Sequence, residues 1–303
     1  MAISWNLGGL SLPELIRRTI RESWTDEVFG QAGCMAFYHF LAIFPILFVS
    51  LALLMRAPHL RDSLANPVHD LSSQVLPAQL LKLLQSVADE QSQRAHARVP
   101  VFTVLMAVLW AAFNATWAMI HGLNNAYEVE EDRPLRTLAI IVAGLSLSLA
   151  ATGCITVLLI FCTRYVREFL NIGTIPLHLL EWLILIVTLS FSFSILYRFA
   201  PNLRDHEWQW TTPGALCALL LWVAATFGAR LYFDHINDYS RSYGHLNGAV
   251  MLLLWLYISN GAILIGGEMN SEIEKAAKGD EGDSHRGHST NRKSEMTRSP
   301  GCR

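Results

Sequence analysis

Six stretches of this chain contain no aspartate, glutamate, lysine or arginine: Cys34 to Met55, Val99 to Ile120, Thr137 to Thr163, Trp182 to Tyr197, Thr211 to Ala229 and Leu246 to Gly267. A helix needs about 20 apolar residues to cross the hydrocarbon of a bilayer, where lipid can satisfy no backbone polar group. Five of the stretches reach that length. The fourth reaches it once Ile175 to Glu181 is added, with His178 and Glu181 at the interface or facing the bundle. With 52% hydrophobic and only 16% charged residues, an ordinary soluble domain is excluded. The expected fold is all-α, a polytopic membrane protein whose residues 30–274 form a bundle of six transmembrane helices.

The flanks differ from this bundle. Residues 1–29 carry Arg17, Arg18 and Arg21 without an apolar core, which excludes a cleavable signal and predicts a cytoplasmic or interfacial segment. Ser11-Leu12-Pro13-Glu14 reads as a capping box with proline in the first turn. Beyond it Leu12, Leu15, Ile16 and Thr19 fall on one helical face, opposite Glu14, Arg17, Arg18 and Arg21, as in a helix lying in the membrane interface. The first extracytoplasmic loop, Arg56 to Arg98, holds a second amphipathic helix opened by Pro77, with Leu80, Leu81, Leu84 and Val87 on one face. Residues 275–303 have almost no apolar content and read as a disordered cytoplasmic tail, in which His285 and His288 are solvated side chains.

Lysines and arginines set the orientation. Short loops divide them equally, nine to each side, and five more in the tail, with three arginines just before the first span, favour cytoplasmic termini. The cysteines, Cys34, Cys154, Cys162, Cys217 and Cys302, are odd in number without CxxC spacing and read as small apolar packing residues. A formal charge of −2 gives no basic footprint for nucleic acid.

Within the spans, Pro45 removes one intrahelical hydrogen bond and predicts a kink. Small residues four apart, Gly144 with Ser148, Gly214 with Ala218, and Ala224 with Gly228, predict close helix contacts. Trp110, Asn125 and Tyr127 share their spacing with Trp222, Asn237 and Tyr239, a faint echo of an inverted repeat that chance also explains.

Several segments resemble one family. These are "CMAFYHFLAIFPILFVSLALL" in the first span, "GLNNAYEVEEDRP" after the second, and then "YRFAPNLR", "TTPGALCALLLW" and "YGHLNGAVMLLLWLYISNGAILIGGEMNSEIE". Together they are similar to the YihY or BrkB-like bacterial inner-membrane proteins, long labelled ribonuclease BN, over roughly Thr25 to Glu274. His39 and His121 depart from the family pattern. The resemblance implies six helices in the bacterial inner membrane and no settled biochemical activity. Some members are associated with virulence, serum resistance or envelope lipid handling.

The ribonuclease label finds no support in the residues. Metal-dependent RNA cleavage requires clustered histidines and carboxylates, and the eleven histidines are scattered. Neither a phosphate loop nor a nucleophile elbow occurs. The reading is therefore no enzyme, no metal and no cofactor. Polar residues at membrane depth are costly and must face protein, water or substrate. On the last span Tyr257, Asn260, Gly261 and Leu264 lie within an arc of about 120° of Glu268. Asn114 and Asn124 on the second span are expected opposite, with Arg198 as a further polar group. Each has a structural reading too: an interhelical bond, a helix end, a snorkelling charge. Together they predict a polar interior, and with it a transporter or transport accessory for a lipid or lipid-linked envelope molecule. The alternative is a non-transporting scaffold. Membrane lipids are the expected partners, with a homo-oligomer possible.

Overall fold

The computed structural model describes residues 7–56, 86, 101–170, 174–203, 212–235 and 245–296. After a 3-10 turn at Leu7–Gly9 come α1 (Leu12–Thr25), α2 (Val28–Arg56), α3 (Val101–Ala126), α4 (Leu135–Leu170), α5 (Thr174–Phe199), α6 (Pro213–His235) and α7 (His245–Met296). Among the described residues there is no strand. Helices α2, α3, α4, α5 and α7 are each long and apolar enough to cross a membrane. Helix α6 is apolar over the shorter stretch Pro213–Ala229.

Contacts between chain-distant residues fix an alternating course. The start of α2, the end of α3, the end of α5, the start of α6 and residues 268–275 of α7 all meet at one end of the bundle. Helix α7 is the axis, packed against α6, α2, α1 and α3, while α4 and α5 pair beside it. Met35 from α2, Ile120 and Leu123 from α3, Leu196 and Tyr197 from α5, and Leu264 from α7 form the buried core. The outer faces carry exposed Leu147, Ile155, Leu158, Leu183 and Leu220. Water would penalise such a surface, and lipid does not.

The α6–α7 crossing shows why its glycines are required. A Cβ on Gly214 would overlap the Gly266 carbonyl, and one on Gly266 would lie 2.5 Å from the Gly214 carbonyl and 2.8 Å from Ala218 Cβ. The Gly214/Ala218 pair thus serves a close helix contact. Gly144 and Gly228 would meet nothing within 4 Å and mark no such contact.

Ser11 occupies the N-cap of α1 with Pro13 in the first turn, but it makes no side-chain capping bond. The expected capping box does not form, because Glu14 accepts from Arg18 Nε at 2.9 Å instead of reaching back. Leu15 and Thr19 of α1 are buried, Leu15 against Met269 and Ile273 of α7. Leu12, Ile16, Ile20 and Trp24 form an adjacent exposed apolar stripe. Only part of the apolar face foreseen in the sequence therefore packs on the bundle. Gly8, at φ 61°, fits beside α7 where a side chain would meet the Ile273 carbonyl at 2.6 Å.

Helix α2 continues through Pro45. The helix opened by Pro77, and Asn237 and Tyr239, lie outside the described residues. The backbone of α7 stays helical to Met296, across the polar composition that begins at residue 275.

Candidate functional site

Two short connections bring polar side chains beneath the end of α7. Helix α1 stops at Asp26, whose N–H bonds the Glu22 carbonyl at 2.8 Å, and Glu27 at φ 52° turns the chain directly into α2. Helix α3 ends in a Schellman motif. The Val129 N–H bonds the Asn124 carbonyl and the Glu128 N–H the Asn125 carbonyl, each at 2.9 Å. Glu128 takes the left-handed position, φ 50°, that glycine usually fills. The Asn125 side chain then donates to the Asp26 carbonyl at 2.6 Å and ties the two turns together.

Glu268 sits over this junction with 0% exposure. Its carboxyl lies beside that of Asp26, close enough for the two to interact directly. Neither Glu268 oxygen, nor Asp26 Oδ2, has a donor among the described residues. Lys275, whose charge also acts on Asp26, is engaged elsewhere: its Nζ donates to Glu128 Oε1 at 2.8 Å and Glu272 Oε1 at 3.0 Å. Burial, and next the charge of Glu128, hold the Asp26 carboxyl above the usual aspartate range. The Tyr127 ring packs beside Gly267, and its buried hydroxyl lies near Asn270 without completing a hydrogen bond. Burial pushes that phenol up as well.

Asn270, just beyond Gly267 on the α7 face toward α6, has both halves of its amide paired. It accepts from the Gly214 N–H at 2.8 Å and donates to Thr212 Oγ1 at 2.9 Å, and Thr212 Oγ1 in turn accepts from the Ala215 N–H at 3.1 Å. These bonds close the N-terminus of α6, where helix amides otherwise lack partners.

A second polar group at the same end is fully connected. Asn124 donates to Glu131 Oε2 at 2.8 Å and accepts from the Asn202 N–H at 2.8 Å. Arg133 donates from Nε to Glu131 Oε1 at 2.6 Å and from its terminal nitrogen to the Ala200 carbonyl at 2.9 Å. Asn202 donates to the Glu130 carbonyl at 2.9 Å and to Asp132 Oδ1 at 2.5 Å. The Arg133 bond holds Glu131 below the usual glutamate range.

The residues singled out in the sequence therefore separate. Tyr257 and Gly261 lie against α2, the Tyr257 ring 3.8 Å from where a Gly33 Cβ would sit and Gly261 beside Ala32. Asn260 is buried, and its amide nitrogen has no partner. It lies about 12 Å along α7 from Glu268. Asn124 belongs to the connected network. Asn114, about 15 Å further along α3, donates to the Trp110 carbonyl of its own helix at 2.6 Å. The Arg198 guanidinium lies over the Phe199 ring, 5.6 Å from its centroid, in the last turn of α5. No described contact joins Asn114, Asn124 or Arg198 to Glu268. Glu181 accepts from Thr163 Oγ1 at 3.2 Å, an α4–α5 contact.

Sequence reasoning missed Asp26 and Tyr127. Their signal was present, as the first of two acids just before the first span and a tyrosine closing "LNNAY", but neither breaks an apolar run. No group of three or more possible metal ligands occurs among the described residues.

A family profile described as Virulence factor BrkB matches residues 19–291. The chain is 27% identical over 251 residues to the putative ribonuclease-like protein YfkH of Bacillus subtilis strain 168, covering 80% of this chain and 89% of that protein. It is 25% identical over 259 residues to a UPF0761 membrane protein of Pseudoalteromonas translucida, covering 82% of each. A UPF0761 membrane protein of Azoarcus sp. strain BH72 is 27% identical over 244 residues, 78% of this chain and 57% of that one. No solved structure matches. With apolar helices of membrane-spanning length and a family match over most of its residues, the chain is an integral membrane protein that belongs to the BrkB family.

Proposed function

We propose that this protein spans the bacterial inner membrane six times with both termini cytoplasmic, and acts as a transporter or transport accessory for a lipid or lipid-linked envelope molecule. The observation that carries this reading is unmet hydrogen-bonding capacity along α7. Trp255 Nε1, Asn260 Nδ2 and both Glu268 oxygens are buried without partners among the described residues, as is Thr226 Oγ1 on α6. Each such group costs about 1–3 kcal/mol, and lipid tails offer no compensation. A polar headgroup or water entering between α7, α2 and α6 would supply the missing partners. In this reading α6 is the sixth span, α1 lies in the interface through Leu12, Ile16, Ile20 and Trp24, and the partners are membrane lipids. Neither enzymatic chemistry, a cofactor nor nucleic acid enters it.

The test is lipidomics of both envelope membranes after depletion of the protein, followed by complementation. A lipid class should accumulate on depletion. Wild-type protein should restore it, and Glu268→Gln and Asn260→Leu at equal membrane abundance should not. Full restoration by both variants would refute the reading.

One observation favours a non-transporting scaffold instead. The Asn124, Glu131, Arg133 and Asn202 network is paired throughout its described bonds and stitches the ends of α3 and α5 to the loop between α3 and α4. If the depletion lipidome is unchanged and partner proteins are lost from the membrane, this second reading prevails.

A further inference from the structure

Two carboxyl groups in contact cannot bond to each other while both are ionised, since each then only accepts. Glu268 has 0% exposure, so water does not reach its side of the pair, while Asp26 is partly exposed. The charge of Lys275 acts on both carboxyls, but no described hydrogen bond runs from a cation to either of them. Lys275 is held by Glu128 and Glu272, and Arg21 on α1 by Glu22 at 2.8 Å. The other titratable groups around the pair are Glu22 on α1, Glu128 after α3, and Glu272 and Glu274 on α7, and all are acids. A second, independent feature lies beside the pair. The Tyr127 hydroxyl, on a residue 6% exposed, lies near Asn270 but completes no hydrogen bond among the described residues, and the Glu268 charge acts on it.

We propose that Asp26 and Glu268 share one proton, and that this pair is a loadable proton site between the α1–α2 turn and the end of α7. The shared proton makes one carboxyl a donor and completes the bond that the geometry prepares. Its departure leaves a buried anion and a partly exposed one facing each other, which pushes the turn and α7 apart. The connections of the turn, to the Glu22 carbonyl within α1 and to Asn125 at the end of α3, transmit that displacement to α1 and α3 and not to a local fraying. As the energy input of a transporter this rests on the preceding reading. As a proton site it stands alone.

The probe is dicyclohexylcarbodiimide, which adds across its C=N bond to a protonated, apolar-sheltered carboxyl and rearranges to a stable N-acylurea without a leaving group. Full-length protein in nanodiscs should be labelled at Asp26 or Glu268, located by peptide mass spectrometry, with labelling falling at least several-fold as pH is raised. Glu268→Gln should abolish it. An infrared pH titration of the same samples should contain a carboxylic C=O band that is lost in Glu268→Gln and in Asp26→Asn. Absence of that band at every pH in folded wild-type protein overturns the proposal. Protection by sodium or magnesium at fixed pH overturns it too, in favour of a cation site. If the band and labelling behave as expected while Glu268→Gln fully restores the depletion lipidome, the proton site stands and the transport reading falls.

Discussion

Two polar clusters lie at the same end of this bundle and are built on opposite terms. Around Asn124, one amide, one guanidinium and one carboxylate divide their donors and acceptors so that each described bond has a partner. Around Glu268, its own two carboxyl oxygens, Asp26 Oδ2 and the Tyr127 phenol are buried atoms without a hydrogen-bond partner among the described residues. The first arrangement holds helix ends in register, whereas the second stores electrostatic cost at the meeting point of α1, α2, α3 and α7. A protein retains an uncompensated group where it is used, and structural networks are satisfied.

The α6–α7 crossing supports both clusters and should give the largest effect. Gly214→Val places side-chain atoms into the Gly266 carbonyl, and overpacking of this kind costs about 3 kcal/mol or more. The expected outcome is loss of monodisperse protein by size-exclusion chromatography after extraction. Recovery of normal, thermostable protein would show that α6 and α7 can separate freely.

Next is the contrast itself. Asn124→Leu strands the Asn202 N–H and leaves Glu131 Oε2 with the Arg133 terminal nitrogen as its remaining described donor, and should destabilise by about 2 kcal/mol. Glu268→Gln supplies a donor where none exists and should leave stability unchanged or raise it by up to about 1 kcal/mol. Thermal unfolding of both variants in one detergent decides it. Equal destabilisation would erase the distinction between the clusters.

The pH responses should have opposite signs. Asp26 is held above its ordinary value of 3.8, so the folded state binds its proton more tightly. That stability is fully present below the ordinary value and is lost as pH rises through the folded one. Glu131 is held below 4.5, so its contribution is present above that value and lost as pH falls through the folded one. Asp26→Asn should therefore remove a loss of melting temperature on the alkaline side, and Glu131→Gln a loss on the acid side. The same side affected by both would contradict the assignment.

The smallest effect is expected at Ser11. It makes no capping side-chain bond, so Ser11→Ala should change stability by less than about 0.5 kcal/mol, against about 1 for a working cap. A larger loss in thermal unfolding would restore the capping box.

Much of the architecture was legible in the sequence because a bilayer imposes a length rule on uncharged runs. Helices α2, α3, α4, α5 and α7 coincide with five of the six runs, and α6 with the sixth. Glu268, Asn260 and Tyr257 were legible as polar residues on one face of α7. Their surroundings were not. Helical periodicity gives the direction of a side chain from its own axis, but not which neighbour fills the space it enters. Asn124 and Glu268 look alike in sequence, as polar residues near a span end, and the structure gives one a complete set of partners and the other a second acid.

By itself the sequence determined the membrane environment and the helices, since these follow from transfer cost along one segment, whereas of its small-residue pairs only Gly214 with Ala218 became a close contact. Tertiary structure alone decided that Asp26 meets Glu268. Burial and charge pairing are properties of the space between helices, and residues from opposite ends of the chain enter that space only when α1 and α7 pack.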